Sequence, residues 1–261
     1  MSLRLKSGFP LVFALLGALL VLFVVGPILR LLFHASPTAL SQTLQDPEFA
    51  ASITLTLITA TTATLLGAVV GIPLAYLLAR RSFRGRGLVQ SLIELPVVIP
   101  HPVVGIALLL FLGRRSALGG ALADIGLEFV NHVPGIIAAM MFVSTPILVS
   151  GAREAFESID PRLERVARTL GDSPWGSFRR VSMPLAGRGI VAAATLAWAR
   201  SVSEFGAIVI LTYNPKVASV FIYDRFTAFG LQAAVAPAVV LLLIALIAFG
   251  LIRLLKPAIP R

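Results

Sequence analysis

Ser158-Ile-Asp-Pro-Arg-Leu-Glu-Arg-Val-Ala-Arg-Thr-Leu-Gly-Asp-Ser-Pro-Trp175 lies in the longest polar segment of this chain, about 152–188. Asp160 followed by Pro161 is an N-cap and first-turn pair: the carboxylate accepts a free amide, and proline gives up a donor that would go unused there. Leu163, Val166, Ala167 and Leu170 follow at i, i+3, i+4 and i+7, which puts them on one apolar face. Arg165 and Arg168 point the other way. Gly171 supplies the residue that enters φ > 0 and ends the helix. Ser173-Pro174 opens a second helix, which Pro184 is expected to stop. A short amphipathic helix of this kind suits either an interfacial helix whose arginines meet anionic lipid or a docking helix for a cytoplasmic partner.

Outward from this segment the chain turns apolar. Six stretches, roughly Phe9–Phe33, Ala50–Ala79, Leu88–Gly113, Val133–Gly151, Gly189–Leu211 and Phe229–Leu255, approach or exceed the ~20 residues that cross a bilayer. Only 13% of the 261 residues are charged and 57% are hydrophobic, against about a quarter charged in a soluble domain. Mean hydropathy is +0.94. The expected fold is an all-α integral membrane protein of about six transmembrane helices. It forms a single permease domain over 1–261, with the amphipathic helix in a loop between the fourth and fifth spans.

The net charge of +10 raises the question of nucleic acid, and the placement of the charges answers it. Arg4 and Lys6, the four arginines of 80–86, the seven from Arg153 to Arg188, and Arg253, Lys256 and Arg261 fall on one side of the six spans. Only Arg30, Arg114, Arg115, Lys216 and Arg225 fall on the other, and Arg200 lies within a span. By the positive-inside rule both termini are cytoplasmic in a cell (inner or plasma) membrane. The basic balance is a topology signal, so no nucleic-acid partner is expected. The first apolar run is longer than the ~7–15 residues of a signal-peptide core and is expected to stay as a first helix. There is no cysteine, and His34, His101 and His132 are scattered, so no metal site is expected. No nucleophile–base set stands out, and no catalytic residue is expected.

Several spans carry helix breakers. Pro96, Pro100 and Pro102 crowd the third, while Gly67, Gly71 and Pro73 interrupt the second. Freed carbonyls at membrane depth survive only where neighbours or cavity water satisfy them. Gly67-x-x-x-Gly71 reads as a close-approach surface, and the proline cluster as an irregular segment lining a pathway. Arg200 and Glu204 sit one turn apart in the fifth span, where an isolated charge is expensive. They either neutralise each other and order the bundle, or Arg200 faces an anion while Glu204 holds it. Pro100 and His101, with the hydroxyls of Ser144, Thr145, Ser201 and Ser203, complete the candidate pathway. Hydroxyls in helices bond back to a carbonyl just as often.

The 158–184 segment resembles the cytoplasmic-loop motif of ATP-binding-cassette importer permeases, E-A-A-x-x-x-G-x9-I-x-L-P. Arg165, Val166 and Ala167 occupy its first three positions, followed by Gly171, Val181, Met183 and Pro184 at the required spacing. Arg165 departs from the motif's glutamate, and Glu164 is its neighbour. The resemblance implies that Leu163, Glu164, Arg165, Val166, Ala167, Leu170 and Gly171 couple to an ATPase. It also implies a homodimer of permease copies, two ATP-binding-cassette subunits and an extracytoplasmic oxyanion-binding protein, all assembled in membrane lipid. ATP and magnesium would belong to the partner, since this chain has no G-x-x-x-x-G-K-[ST] loop and is expected to bind no cofactor.

Three further stretches resemble the molybdate/tungstate and sulfate branch of these permeases: Gly71–Arg80, Leu95–Leu109 and Ala199–Ala207. The Pro-His-Pro run and the Ser-Glu-Phe-Gly-Ala ending resemble molybdate/tungstate permeases most. A sulfate or thiosulfate permease is the alternative. An ion-coupled secondary transporter, with Glu94, His101 and Glu204 as a proton relay, leaves the capped loop helix unexplained.

Overall fold

The computed structural model describes residues 8–254. Arg4, Lys6, Lys256, Arg261 and the end of the sixth apolar stretch at Leu255 lie outside the described residues. Within them the chain is helix and loop. It runs through α1 (Gly8–His34), α2 (Pro37–Gln45), α3 (Pro47–Arg80), α4 (Arg86–Val98), α5 (His101–Leu112), α6 (Ala117–Asp124) and α7 (Val133–Glu157). After these come α8 (Pro161–Thr169), α9 (Pro174–Ser177), a π turn over Phe178–Ser182, α10 (Met183–Val202), α11 (Gly206–Leu211), α12 (Ala218–Phe229) and α13 (Leu231–Leu254).

One local device starts four of these helices. Ser36-Pro37, Asp46-Pro47, Asp160-Pro161 and Ser173-Pro174 each place a side-chain oxygen on a first-turn amide and a proline inside the start. Each cap satisfies an amide that a helix otherwise leaves open.

Four helical runs are long and apolar enough to cross a membrane: Pro10–His34, Pro47–Arg80, Val133–Glu157 and Pro174–Val202. The expected third span is two helices, α4 and α5, bent by 115° at Ile99–Pro100. A proline N-cap at Pro100 and Pro102 in the first turn of α5 leave no straight path through this point. The apolar part of α13, Leu231–Ile247, is shorter.

Two expectations are corrected. Pro184 does not stop the helix that starts at Pro174. It sits in the first turn of α10, just after the π turn, where Met183 N bonds Phe178 O. A π turn inserts one residue and shifts the hydrogen-bond ladder, a local adjustment beside which a proline ring can be accommodated. The expected fifth span, Gly189–Leu211, is also broken: α10 ends at Val202, and Glu204 and Phe205 sit in the gap before α11.

The core is built on α3, α7 and α10. A Cβ on Gly67 would meet Thr145 Oγ1 at 3.2 Å, and one on Gly71 would meet Val149 Cγ2 at 3.0 Å. Small residues at this spacing thus let α3 and α7 approach closely. One apolar cluster, including Ala60, Val104, Met140, Ile208 and Leu211, joins α3, α5, α7 and α11. A second, with Leu78, Ala152, Phe156, Ala186 and Ile190, closes the end nearest α8. In contrast, the apolar side chains of α1 are exposed along most of its length, as befits a helix meant for lipid or another chain.

Candidate functional site

The geometry gathers most of the expected residues at two places. The first is α8. Asp160 Oδ1 accepts the Arg162 amide at 2.8 Å, and Gly171 ends the turn at φ +98, as its position in the sequence implies. The Asp172 amide then closes onto Ala167 O at 3.0 Å. Leu163, Val166 and Leu170 are exposed, Leu170 by 83%, and Ala167 is half-buried beside them. Arg165 is exposed.

Glu164, which the resemblance counts among the coupling residues, faces into the protein. Its Oε1 accepts Arg80 Nε at 2.7 Å and Ser182 Oγ at 2.7 Å, and its Oε2 accepts Tyr76 Oη at 2.9 Å. Ser177 Oγ donates to its backbone carbonyl at 3.3 Å. Burial would raise the Glu164 pKa, but the hydrogen bonds from Ser182, Tyr76 and Arg80 outweigh it and hold the carboxyl below its ordinary value. An aromatic floor supports the cluster: Tyr76 packs edge-on against Phe156 at 5.3 Å and Phe178 at 4.7 Å. One carboxylate therefore ties α8 to the end of α3 and to the π turn that leads into α10.

Tyr76, Arg80 and Ser182 were not singled out from sequence. Tyr76 and Arg80 are spaced i, i+4 and so share a face of α3. Their partner, 84–88 residues away, becomes evident only in the fold.

The second place is where the two helix breaks touch. His101 opens α5 after the first break, and Glu204 lies in the second. Arg200 Nη2 donates to His101 Nε2 at 2.6 Å and to Glu204 Oε2 at 2.8 Å. His101 Nδ1 lies 3.5 Å from the same carboxylate oxygen. The other carboxylate oxygen accepts the Ala207 amide at 2.9 Å, and Ser219 Oγ donates to the Glu204 carbonyl at 2.7 Å. Glu204 is 1% exposed, while Arg200 and His101 keep 24% and 41% of their side chains open. Both Glu204 oxygens are thus used to order the breaks, and the guanidinium and imidazole stay accessible beside them.

Pro100 forms the break itself. Ser203 Oγ lies 3.4 Å from Arg200 Nη1 and bonds back to the Arg200 carbonyl at 3.0 Å. The structure does not join Ser144 and Thr145 to this cluster by any bond. Ser144 is buried, and Thr145 donates to Met141 O at 2.6 Å while it packs on Gly67. Ser201 is also buried, and its hydroxyl has no hydrogen-bond partner among the described residues. Glu94 accepts locally from Gln90 at 3.2 Å.

Two bent or broken apolar runs thus meet over one half-buried ion pair, with a capped polar helix hung from α3, in a chain whose long apolar helices are of membrane-spanning length. The chain belongs to the family of binding-protein-dependent transport system inner membrane components, which matches residues 71–261. A molybdate/tungstate transport system permease protein of Pyrococcus furiosus is 44% identical, over 92% of each chain. Its counterpart in Thermococcus kodakarensis is 39% identical, over 92% of this chain and 93% of its own. A sulfate transport system permease protein of Escherichia coli is 31% identical over 77% of this chain and 74% of its own. Among solved structures, a bacterial ABC transporter involved in the import of the acidic polysaccharide alginate shares the fold at a TM-score of 0.73. It is 22% identical, over 96% of this chain and 97% of that one.

Proposed function

We propose that this chain is the permease subunit of an ATP-driven importer for a tetrahedral oxyanion, molybdate or tungstate. The observation that carries the reading is α8: a helix anchored inward by Glu164 and leaving Leu163, Val166 and Leu170 exposed. A face of this kind suits a partner that pushes on α8, and Glu164 passes the push to α3 and α10. The partner in this reading is an ATP-binding-cassette subunit, which alone would hold ATP and magnesium. The permease itself does no bond chemistry.

If α4 and α5 count as one broken crossing and α13 as another, the spans number six and the whole chain is one domain. The distribution of basic residues then supports a cytoplasmic side for both termini and α8. Two copies would close the pathway between them, with Arg200 and His101 on its wall. A guanidinium and an imidazole suit a dianion, and the buried Glu204 keeps them positioned without binding the solute. Molybdate and tungstate are preferred because the relatives that match nine-tenths of the chain at 39–44% identity carry those names. Sulfate is the second reading, favoured by the relative at 31%.

The three anions share charge and shape, so selection should rest with an extracytoplasmic binding protein whose fixed donors fit one radius. The test is proteoliposomes holding this chain, its ATPase and its binding protein. ATP hydrolysis should rise with molybdate or tungstate and respond little to sulfate. Equal stimulation by sulfate moves the assignment, and no response to any oxyanion removes it.

A further inference from the structure

The end of α3 and the flank of α8 border a half-open cavity of about 250 Å³, whose charged lining is Arg80, Arg81, Arg165, Arg168 and Glu164. Four arginines and one carboxylate thus share its lining. That carboxylate is fully engaged by Arg80, Ser182 and Tyr76. Among the described residues Arg81, Arg165 and Arg168 form no ion pair. The Arg80 side chain is only 8% exposed, yet its Nη2 is buried without a hydrogen-bond partner. Buried donors normally find an acceptor, and unpaired like charges around one cavity repel. An anion with several acceptor oxygens removes both costs, and the planar guanidinium fork matches a phosphate group bidentately.

We propose that this cavity is an anion site that takes a phosphate group and bridges α3 to α8. The position favours a phosphate over an acidic side chain of the ATPase. At 100° per residue, Arg165 and Arg168 lie about 140–200° around α8 from Leu163, so the cavity is on the flank turned to α3, away from the exposed apolar face. In addition, α3 has 34 residues and is about 51 Å long at 1.5 Å per residue, longer than the ~40–45 Å of a bilayer with its headgroups. A helix of this length is able to carry its Arg80–Arg81 end to the headgroup layer, where phosphodiesters are dense. Placement on the cytoplasmic leaflet rests on the orientation proposed above; the site itself does not depend on the solute carried. Bound phosphate would stiffen the joint between α8 and α3.

The test uses the assembled permease–ATPase complex, wild type and with Arg81→Gln, Arg165→Gln and Arg168→Gln, singly and together. Arg80 is left intact because it holds Glu164. Retention of phosphatidylglycerol against phosphatidylcholine is read by native mass spectrometry. Thermal stability is read with each lipid and with inorganic phosphate. Wild type should retain phosphatidylglycerol and be stabilised by it, with affinity falling about fivefold per arginine removed. Arg81→Gln and Arg168→Gln, singly and together, should match wild type in phosphatidylcholine alone, which shows that they fold. Displacement of the lipid by inorganic phosphate, or stabilisation by phosphate alone, assigns the site to a free anion. Equal binding of both probes to wild type and the triple variant overturns the proposal. So does loss of ATPase from Arg168→Glu that a lysine introduced on the ATPase restores, since that places the arginine in the protein interface.

Discussion

Replacing Glu164 by alanine should loosen α8 from the membrane helices and separate ATP hydrolysis from transport. The carboxylate accepts three hydrogen bonds of 2.7–2.9 Å, one from an arginine that is 8% exposed. Breaking a buried ion pair by deleting one partner costs roughly 3–5 kcal/mol, because the remaining charge is stranded. Glu164 itself is 13% exposed, so water can reach part of the site and about 2–4 kcal/mol is expected. Glu164→Gln keeps an acceptor but not the charge, and should cost about 1–3 kcal/mol. In a cycle with Arg80→Met, the double variant should be no less stable than Glu164→Ala, since nothing charged is then left alone. Unfolding in detergent gives the energies. ATP hydrolysis and solute uptake in the same proteoliposomes give the coupling. The sign with pH follows from the lowered carboxyl. Its contribution is complete above the ordinary value of 4.5 and vanishes as pH falls through the lower folded value. Acid should therefore shrink the difference between wild type and Glu164→Ala, leaving what a neutral carboxyl still contributes. If Glu164→Ala unfolds like wild type at neutral pH and still couples tightly, the anchoring role is refuted.

Three other changes probe the remaining geometry. Gly171→Val puts a β-branched residue at φ +98, which costs roughly 1–2 kcal/mol or more. Such a chain should still insert but lose coupled transport, and normal uptake would contradict the role of α8. Leu170→Glu places a charge on the most exposed apolar position of α8 and should abolish co-purification of the ATPase without changing the thermal stability of the permease. Undiminished recovery would point to another docking face. Glu204→Ala strands Arg200 and frees the Ala207 amide, for a loss of about 2–4 kcal/mol, and Arg200→Ala/Glu204→Ala should be no worse than either single variant. A silent Glu204→Ala beside an inactive Arg200→Ala would instead make Arg200 a direct solute contact.

Composition and pattern alone determined the membrane class, the all-helical fold, the apolar stretches and the short capped helix from Pro161 to Gly171. These follow from local rules: how many apolar residues span a bilayer, where Asp-Pro and Ser-Pro start a helix, and where glycine ends one. The pairing of Arg200 with Glu204 was legible for the same reason, since the two are four residues apart. Tertiary structure alone decided that Glu164 faces inward, because its partners Tyr76 and Arg80 lie 84–88 residues away and only the packing of α3 on α7 brings them near. It also decided that Pro184 continues a helix, through a π turn that residue preference does not encode, and that the breaks at Pro100 and Glu204 meet over one arginine. A sequence states which residues are able to bend a helix or carry a charge. Which bends share one point, and which charges find each other, depends on how the finished helices pack.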